Sequence, residues 1–191
     1  MRKTRKAAAV LTAFAMAAVS AVPAMADEIK DLYDYETQAR EVETWNILHS
    51  QSAADLNVLT NLYDGLVEAD EYGKVVPAIA ESWETEDNGI TWTFHLREGV
   101  KWVDQNGNEK GEVTAQDFLT GLEWILNFHK NDAANTSMPM EMIVGAEDYY
   151  NMTSELDADA GLALTAESPE FADTVGIKAI DDYTLQYTCV S

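Results

Sequence analysis

Asp87-Asn88-Gly89, followed by the run from Ile90 to Leu96, is the tightest constraint on how this chain can fold. Asn and Gly tolerate the positive φ angles that a tight hairpin turn demands. Trp83-Glu84-Thr85 precedes the turn, so antiparallel strands are predicted on either side of it. In the second strand Trp92, Phe94 and Leu96 alternate with Thr91, Thr93, His95 and Arg97. One face of that strand therefore meets a core, and the other meets solvent or a neighbour.

Similar punctuation recurs along the chain. A second turn is predicted at Asn106-Gly107, and strands over Thr174 to Ile180 and Tyr183 to Val190 join at Asp181-Asp182. Between these lie helical signals. Ser52-Ala53-Ala54-Asp55 resembles a capping box with Asp in place of the usual Glu, and opens a helix carrying Leu56, Leu59, Leu62, Tyr63 and Leu66, with Gly65 as its stop. Thr114-Ala115-Gln116-Asp117 opens another, carrying Phe118, Leu119, Leu122, Ile125 and Leu126. A third helix is predicted from Pro139 to Tyr150, with a loop over 130–138 before it and a weakly patterned acidic stretch over 153–170 after it. Glu41 to Ile47 suits a short strand, and Val75 to Ser82 a strand end plus one helical turn around Pro77. Hairpins mixed with helices predict an α/β fold of mixed α+β elements.

The N-terminus reads as a secretory signal over residues 1–26. Arg2, Lys3, Arg5 and Lys6 form a positive region, Ala7 to Val22 an uncharged one, and Ala24-Met25-Ala26 a small-residue site for cleavage between Ala26 and Asp27. The apolar run is shorter and richer in alanine than a membrane span requires. Removing those four basic residues leaves 165 residues with eight Lys+Arg against 34 Asp+Glu, a net charge of −26. A polyanion of that size repels phosphate, which excludes nucleic acid and anionic lipid surfaces as partners. Residues 27–40 read as a flexible acidic leader. The chain has a single cysteine, Cys189, so no intrachain disulfide is possible and the thiol is expected as a small buried hydrophobe.

Candidate chemistry is sparse. His49, His95 and His129 lie in different elements without paired spacing, and no metalloprotease, Cys-pair or serine-elbow motif occurs. Asp157, Asp159, Gly161 and Glu167 partly match a calcium loop, but Gly161 stands where an oxygen ligand is needed and the closing glutamate is displaced by one residue. No metal or other cofactor is expected. Asn135-Thr136-Ser137 and Asn151-Met152-Thr153 fit the glycosylation sequon. Trp83, Trp92, Trp102 and Trp124 fall in strand-like or helical runs, and most of them read as core.

Four blocks taken in order are more specific. Asn61-Leu62-Tyr63-Asp64-Gly65-Leu66 is followed by Pro77-Ala78-Ile79-Ala80-Glu81-Ser82-Trp83. Then come the run from Thr91 to Trp102 and Val113-Thr114-Ala115-Gln116-Asp117-Phe118. This set closely resembles the N-terminal region of the extracytoplasmic oligopeptide-binding proteins, the family 5 solute-binding components of peptide ABC importers. The run from Gly176 to Leu185 is similar to a later segment of the same family. The likeness extends from about Val42 to Thr188.

The resemblance implies a two-lobed type II periplasmic-binding-protein fold that closes on a peptide by hinge motion. Residues 41–191 would form part of the first lobe, with an inserted subdomain over about 66–188, and the chain is expected to be a truncated N-terminal portion that binds peptides weakly or not at all. It implies an oligopeptide ligand, an ABC permease and ATPase as partners, a monomer, and no catalysed reaction. By position, Gln51-Ser52-Ala53 would line the cleft, with backbone contact at Ser52 and Ala53. The family often carries an acidic residue where this chain has Gln51, and Ser52 also reads as a helix cap. Trp83, Trp92, Phe94 and Arg97 read as scaffold. Relatives often carry a lipid-attachment cysteine at the cleavage site; here the only cysteine is Cys189, so a soluble periplasmic or released protein without a lipid anchor is expected. Other readings stay open: a sensor, a binding protein for a nickel complex, glutathione or a sugar, or a secreted acidic hydrolase.

Overall fold

A computed structural model describes residues 41–131 and 135–191. The expected secretory signal, its expected Ala26/Asp27 cleavage site and the expected acidic leader lie outside the described residues. In chain order the elements are α1 (Ala53–Leu59), β1 (Val67–Ala69), β2 (Val75–Pro77), β3 (Ala80–Thr85), β4 (Thr91–Leu96), β5 (Lys101–Val103) and β6 (Glu109–Glu112). There follow α2 (Ala115–Leu126), α3 (Phe128–Asn131), α4 (Ser137–Met142), α5 (Ala146–Glu155), α6 (Ala158–Ala163), α7 (Pro169–Ala172), β7 (Ile177–Asp181) and β8 (Thr184–Thr188).

The predicted hairpin at Asn88-Gly89 is present, and both residues take positive φ, 58° and 89°. β3 and β4 pair through it, and β4 pairs on its other side with β8, giving an antiparallel sheet of order β3-β4-β8-β7. The alternation of β4 sets its roles: Leu96 is buried, and Phe94 packs against the core cluster. On the opposite face Thr93 accepts a hydrogen bond from Gln186 of β8 at 3.2 Å, and His95 pairs with Glu84 of β3 at 3.0 Å. β1–β2 and β5–β6 form two separate small hairpins.

The helices cover the apolar face of the large sheet. Leu119, Leu122 and Leu126 recur along α2 and are buried with Ile177 and Leu185 of β7 and β8. Tyr149 of α5 meets Phe171 of α7 edge-on, with ring centroids 5.1 Å apart and both rings fully buried. Burial of a ring such as Phe171 contributes about 1.5–3 kcal/mol. α2 starts as predicted: Thr114 accepts from the N3 backbone, and Asp117 accepts from the Thr114 N–H at 2.8 Å.

Several local expectations are corrected. Glu41 to Ile47 forms no strand, because side chains capture its backbone: Asp55 binds the Glu43 N–H, Thr44 the Asn46 N–H, and Asn46 the Leu48 N–H. Ser52 is the N-cap of α1, but its hydroxyl makes no capping bond. That helix ends at Leu59, where Thr60 and Asn61 side chains bond back to the Leu56 and Asn57 carbonyls, leaving Leu62 exposed. No helical turn forms around Pro77, which instead closes β2 opposite Val67. The single helix expected over 139–150 is two helices, broken where Ile143 bridges to Cys189 and Gly145 takes φ 71°. Part of the loop expected over 130–138 is helical, since α3 runs to Asn131 and α4 begins at Ser137. The acidic stretch holds α6 and α7, because Asp157 accepts the Ala160 N–H as an N-cap and Pro169 opens the latter. Cys189 is half-buried rather than enclosed.

Candidate functional site

The turn before α1 is built from side chains outside it. Asp55, fully buried, spends one oxygen on the Glu43 N–H (2.9 Å) and the other on the Ser50 hydroxyl (2.9 Å). Ser50 Oγ in turn accepts the Ser52 N–H at 3.3 Å. From the far side, Asn135 Nδ2 donates to two carbonyls, of Leu48 at 3.1 Å and Ser50 at 2.6 Å. Asn135 holds this position with φ 56°, a left-handed conformation that asparagine adopts more readily than most residues other than glycine. His49 Nδ1 lies 3.3 Å from Asn131 Oδ1 and adds a third tie.

Within this clamp, Gln51 and Ala53 are exposed and Ser52 is buried. The Ser52 N–H and C=O both have partners inside the protein, the latter bonding the Leu56 N–H at 2.9 Å. Among the described residues, neither the N–H nor the C=O of Gln51 makes a hydrogen bond. One exposed residue thus presents an open donor and an open acceptor between residues whose main-chain groups are spent. Such a segment can pair with another extended main chain.

A second polar cluster lies under α2. Glu123, buried on that helix, accepts from Lys130 Nζ (2.7 Å), Tyr149 OH (2.8 Å) and Asn127 Nδ2 (2.9 Å). Lys130 also donates to the Leu164 carbonyl at 2.5 Å, and Asn127 to the Gly161 carbonyl at 2.9 Å. Burial, reinforced by the Glu123 carboxylate, pushes the Tyr149 hydroxyl far above the usual phenol range. Above the pair lies a shallow groove of about 290 Å³ lined by Gln116, Thr120, Trp124 and Ala166. Every partner named in this cluster is internal, and a buried pair with four further bonds joins α2, α3, α5 and α6 into one layer.

The remaining sequence candidates are dispersed. His95 faces Glu84, and His129 Nε2 lies 3.0 Å from the Leu156 carbonyl oxygen. Asp157 serves its own helix. No group of three or more His, Cys, Asp or Glu residues able to hold a metal ion occurs among the described residues. Ser50, Asp55 and Asn135 are the residues sequence reasoning misses as supports of the turn. Asp55 reads as half of a capping box, and Asn135, 85 positions from Ser50, reads as a sequon. Only tertiary contact reveals either role.

Residues 74–190 match the model of the bacterial extracellular solute-binding proteins, family 5 Middle. The chain is 37% identical over 180 residues to the oligopeptide-binding protein AmiA of Streptococcus pneumoniae, covering 93% of this chain and 24% of that protein. It is 35% identical over 158 residues to AliB of the same species, also an oligopeptide-binding protein, covering 83% and 21%. The fold superposes with a TM-score of 0.59 on the substrate-binding domain of an oligopeptide ABC transporter from Bacillus anthracis, at 28% identity, over 81% of this chain and 25% of that one. The chain therefore spans about a quarter of the length of these relatives. With more than half of its residues on the family model, and with a mixed α/β fold that superposes on a type II periplasmic binding protein, the chain belongs to family 5 of the bacterial extracellular solute-binding proteins.

Proposed function

We propose that the chain acts in the substrate-binding component of an ABC importer, taking up oligopeptides outside the cytoplasm and delivering them to a membrane permease and its ATPase. The observation that carries this reading is the similarity of 83–93% of the chain to two proteins named for oligopeptide binding. The open main chain of Gln51 supports it, because a peptide held through its own backbone can vary in side chain. In this reading residues 41–191 belong to the first lobe, the protein binds without catalysing a reaction, and it works as a monomer. The charge order of residues 1–26 supports export, with cleavage between Ala26 and Asp27. Among the described residues no helix is long and apolar enough to cross a membrane.

The chain supplies one wall of the binding cleft, so its own affinity for short peptides is expected in the millimolar range, about 4 kcal/mol. Titration of the isotope-labelled chain with peptides of two to five residues tests the assignment. Chemical-shift changes centred on Gln51–Ala53 are expected. Shifts confined to the groove between Gln116 and Ala166 would move the site, and the absence of shifts anywhere at millimolar peptide would remove it. The first residue of the secreted protein is expected to be Asp27; Met1 at that position would overturn export by cleavage.

A further inference from the structure

The arrangement around Gln51 contains more than an exposed residue. Four polar groups of the segment before α1 are spent on two side chains: the Glu43 N–H and Ser50 hydroxyl on Asp55, and the Leu48 and Ser50 carbonyls on Asn135. The Ser50 hydroxyl passes the tie on to the Ser52 N–H. Gln51 is skipped. Neither Asp55 nor Asn135 bonds to the main chain of Gln51, and Asp55 is fully buried. Asn135 also has a left-handed backbone, which asparagine tolerates and glycine shares.

We propose that Asp55 and Asn135 are positioning residues that hold Leu48–Ser52 so that the N–H and C=O of Gln51 stand open to the main chain of an extended peptide. This rests on the assignment of Gln51–Ala53 as a ligand contact. The physical basis is preorganisation. A loop already fixed in its bound shape loses no further conformational entropy when the ligand arrives, whereas a loose loop must be ordered at that moment. Water cannot substitute for the clamp, because it would order neither carbonyl relative to the other.

Two variants separate this role from general packing. Asn135→Gly keeps the left-handed backbone and removes both donated bonds; Asp55→Asn keeps the shape and replaces one accepting oxygen with a donor. Each is compared with the unaltered chain by titration with trialanine, followed at the Gln51 amide, and by hydrogen exchange. Exchange at Ser52 reports the loop, and exchange across β4 and β8 reports the core. Both variants are expected to weaken trialanine binding by about tenfold, the factor that ordering one residue's backbone is worth. They are also expected to speed exchange at Ser52 while protection in β4 and β8 is kept. Unchanged affinity in both variants, with the unaltered chain binding, would overturn the positioning role and leave the ligand contact standing. No shift at Gln51 in the unaltered chain would overturn the ligand contact itself, and this role with it. If Asn135→Gly loses core protection, Asp55→Asn decides alone. Loss of core protection in both would show that the pair supports the core rather than the loop, which also overturns the proposal.

Discussion

At Gly145 the chain turns with φ 71°, and a Cβ placed there would lie 2.0 Å from the Thr174 carbonyl oxygen. Gly145→Ala therefore adds a backbone clash to the left-handed strain of about 1–2 kcal/mol. A loss of roughly 3 kcal/mol is expected from the urea midpoint. Gly99→Ala is the control, since φ is 79° there but nothing lies within 4 Å of the added atom; it is expected to lose only the strain. Titratable residues make a second case. Lys101, then Tyr183 and the Gly99 N–H, hold Glu112 down to about 2, while the Glu112 hydrogen bond, with burial, pushes Tyr183 up to about 12. A lowered carboxylate stabilises the fold above its ordinary value of 4.5 and loses that contribution as pH falls toward about 2. A raised phenol stabilises below its ordinary value of 10 and loses that contribution as pH rises through about 12. The contact between β5–β6 and the β7–β8 turn is thus expected to be strongest between those ordinary values. Carboxyl-carbon NMR should find the Glu112 midpoint near 2, rising in Lys101→Met; a midpoint unchanged by that substitution would refute the pairing.

Among the elements, α2 carries the most information. Its capping box predicts that Asp117→Ala costs about 1 kcal/mol, read by thermal denaturation. Its buried Glu123 predicts a larger effect: Lys130→Met strands a carboxylate that is only 3% exposed and is expected to cost roughly 3–5 kcal/mol. The paired change Glu123→Met with Lys130→Met should recover part of that loss; a double variant no better than the single would argue against the ion pair. The starting signals of α2 were legible because they lie within four consecutive residues. The β3–β4 and β7–β8 hairpins were legible because turn chemistry and alternation agree over a short window. Two failures have a long-range component: a backbone group is claimed by a side chain or a segment outside the local window. The Glu41 to Ile47 segment lost its strand character to Asp55, and the helix expected over 139–150 was cut where Ile143 bridges to Cys189. For the candidate site, Gln51, Ser52 and Ala53 are suggested by family resemblance alone. The buried Asp55 and the remote Asn135 beneath them leave no mark in local pattern.

For the whole molecule, charge is the first consideration. A net charge of −22 on 191 residues opposes compaction by self-repulsion. Raising NaCl from about 0.01 M to about 0.5 M shortens the screening length and is expected to raise Tm by roughly 2–4 °C, what about 1 kcal/mol is worth at this size. A Tm that falls with salt would mean that the surface ion pairs outweigh the repulsion. Topology is the second. β4 lies between β3, which precedes it directly, and β8, so that Phe94 pairs with Leu185. The second neighbour of β4 is therefore synthesised long after β4 itself. At about 5–20 residues per second, the ribosome needs several seconds to travel from Leu96 to Thr184. Throughout that interval β4 has one neighbour and the sheet lacks its other half. For the exported chain we propose, this delay is useful: the nascent polypeptide stays threadable until its N-terminus has engaged the secretion machinery, and the order of strands acts as a timer on folding.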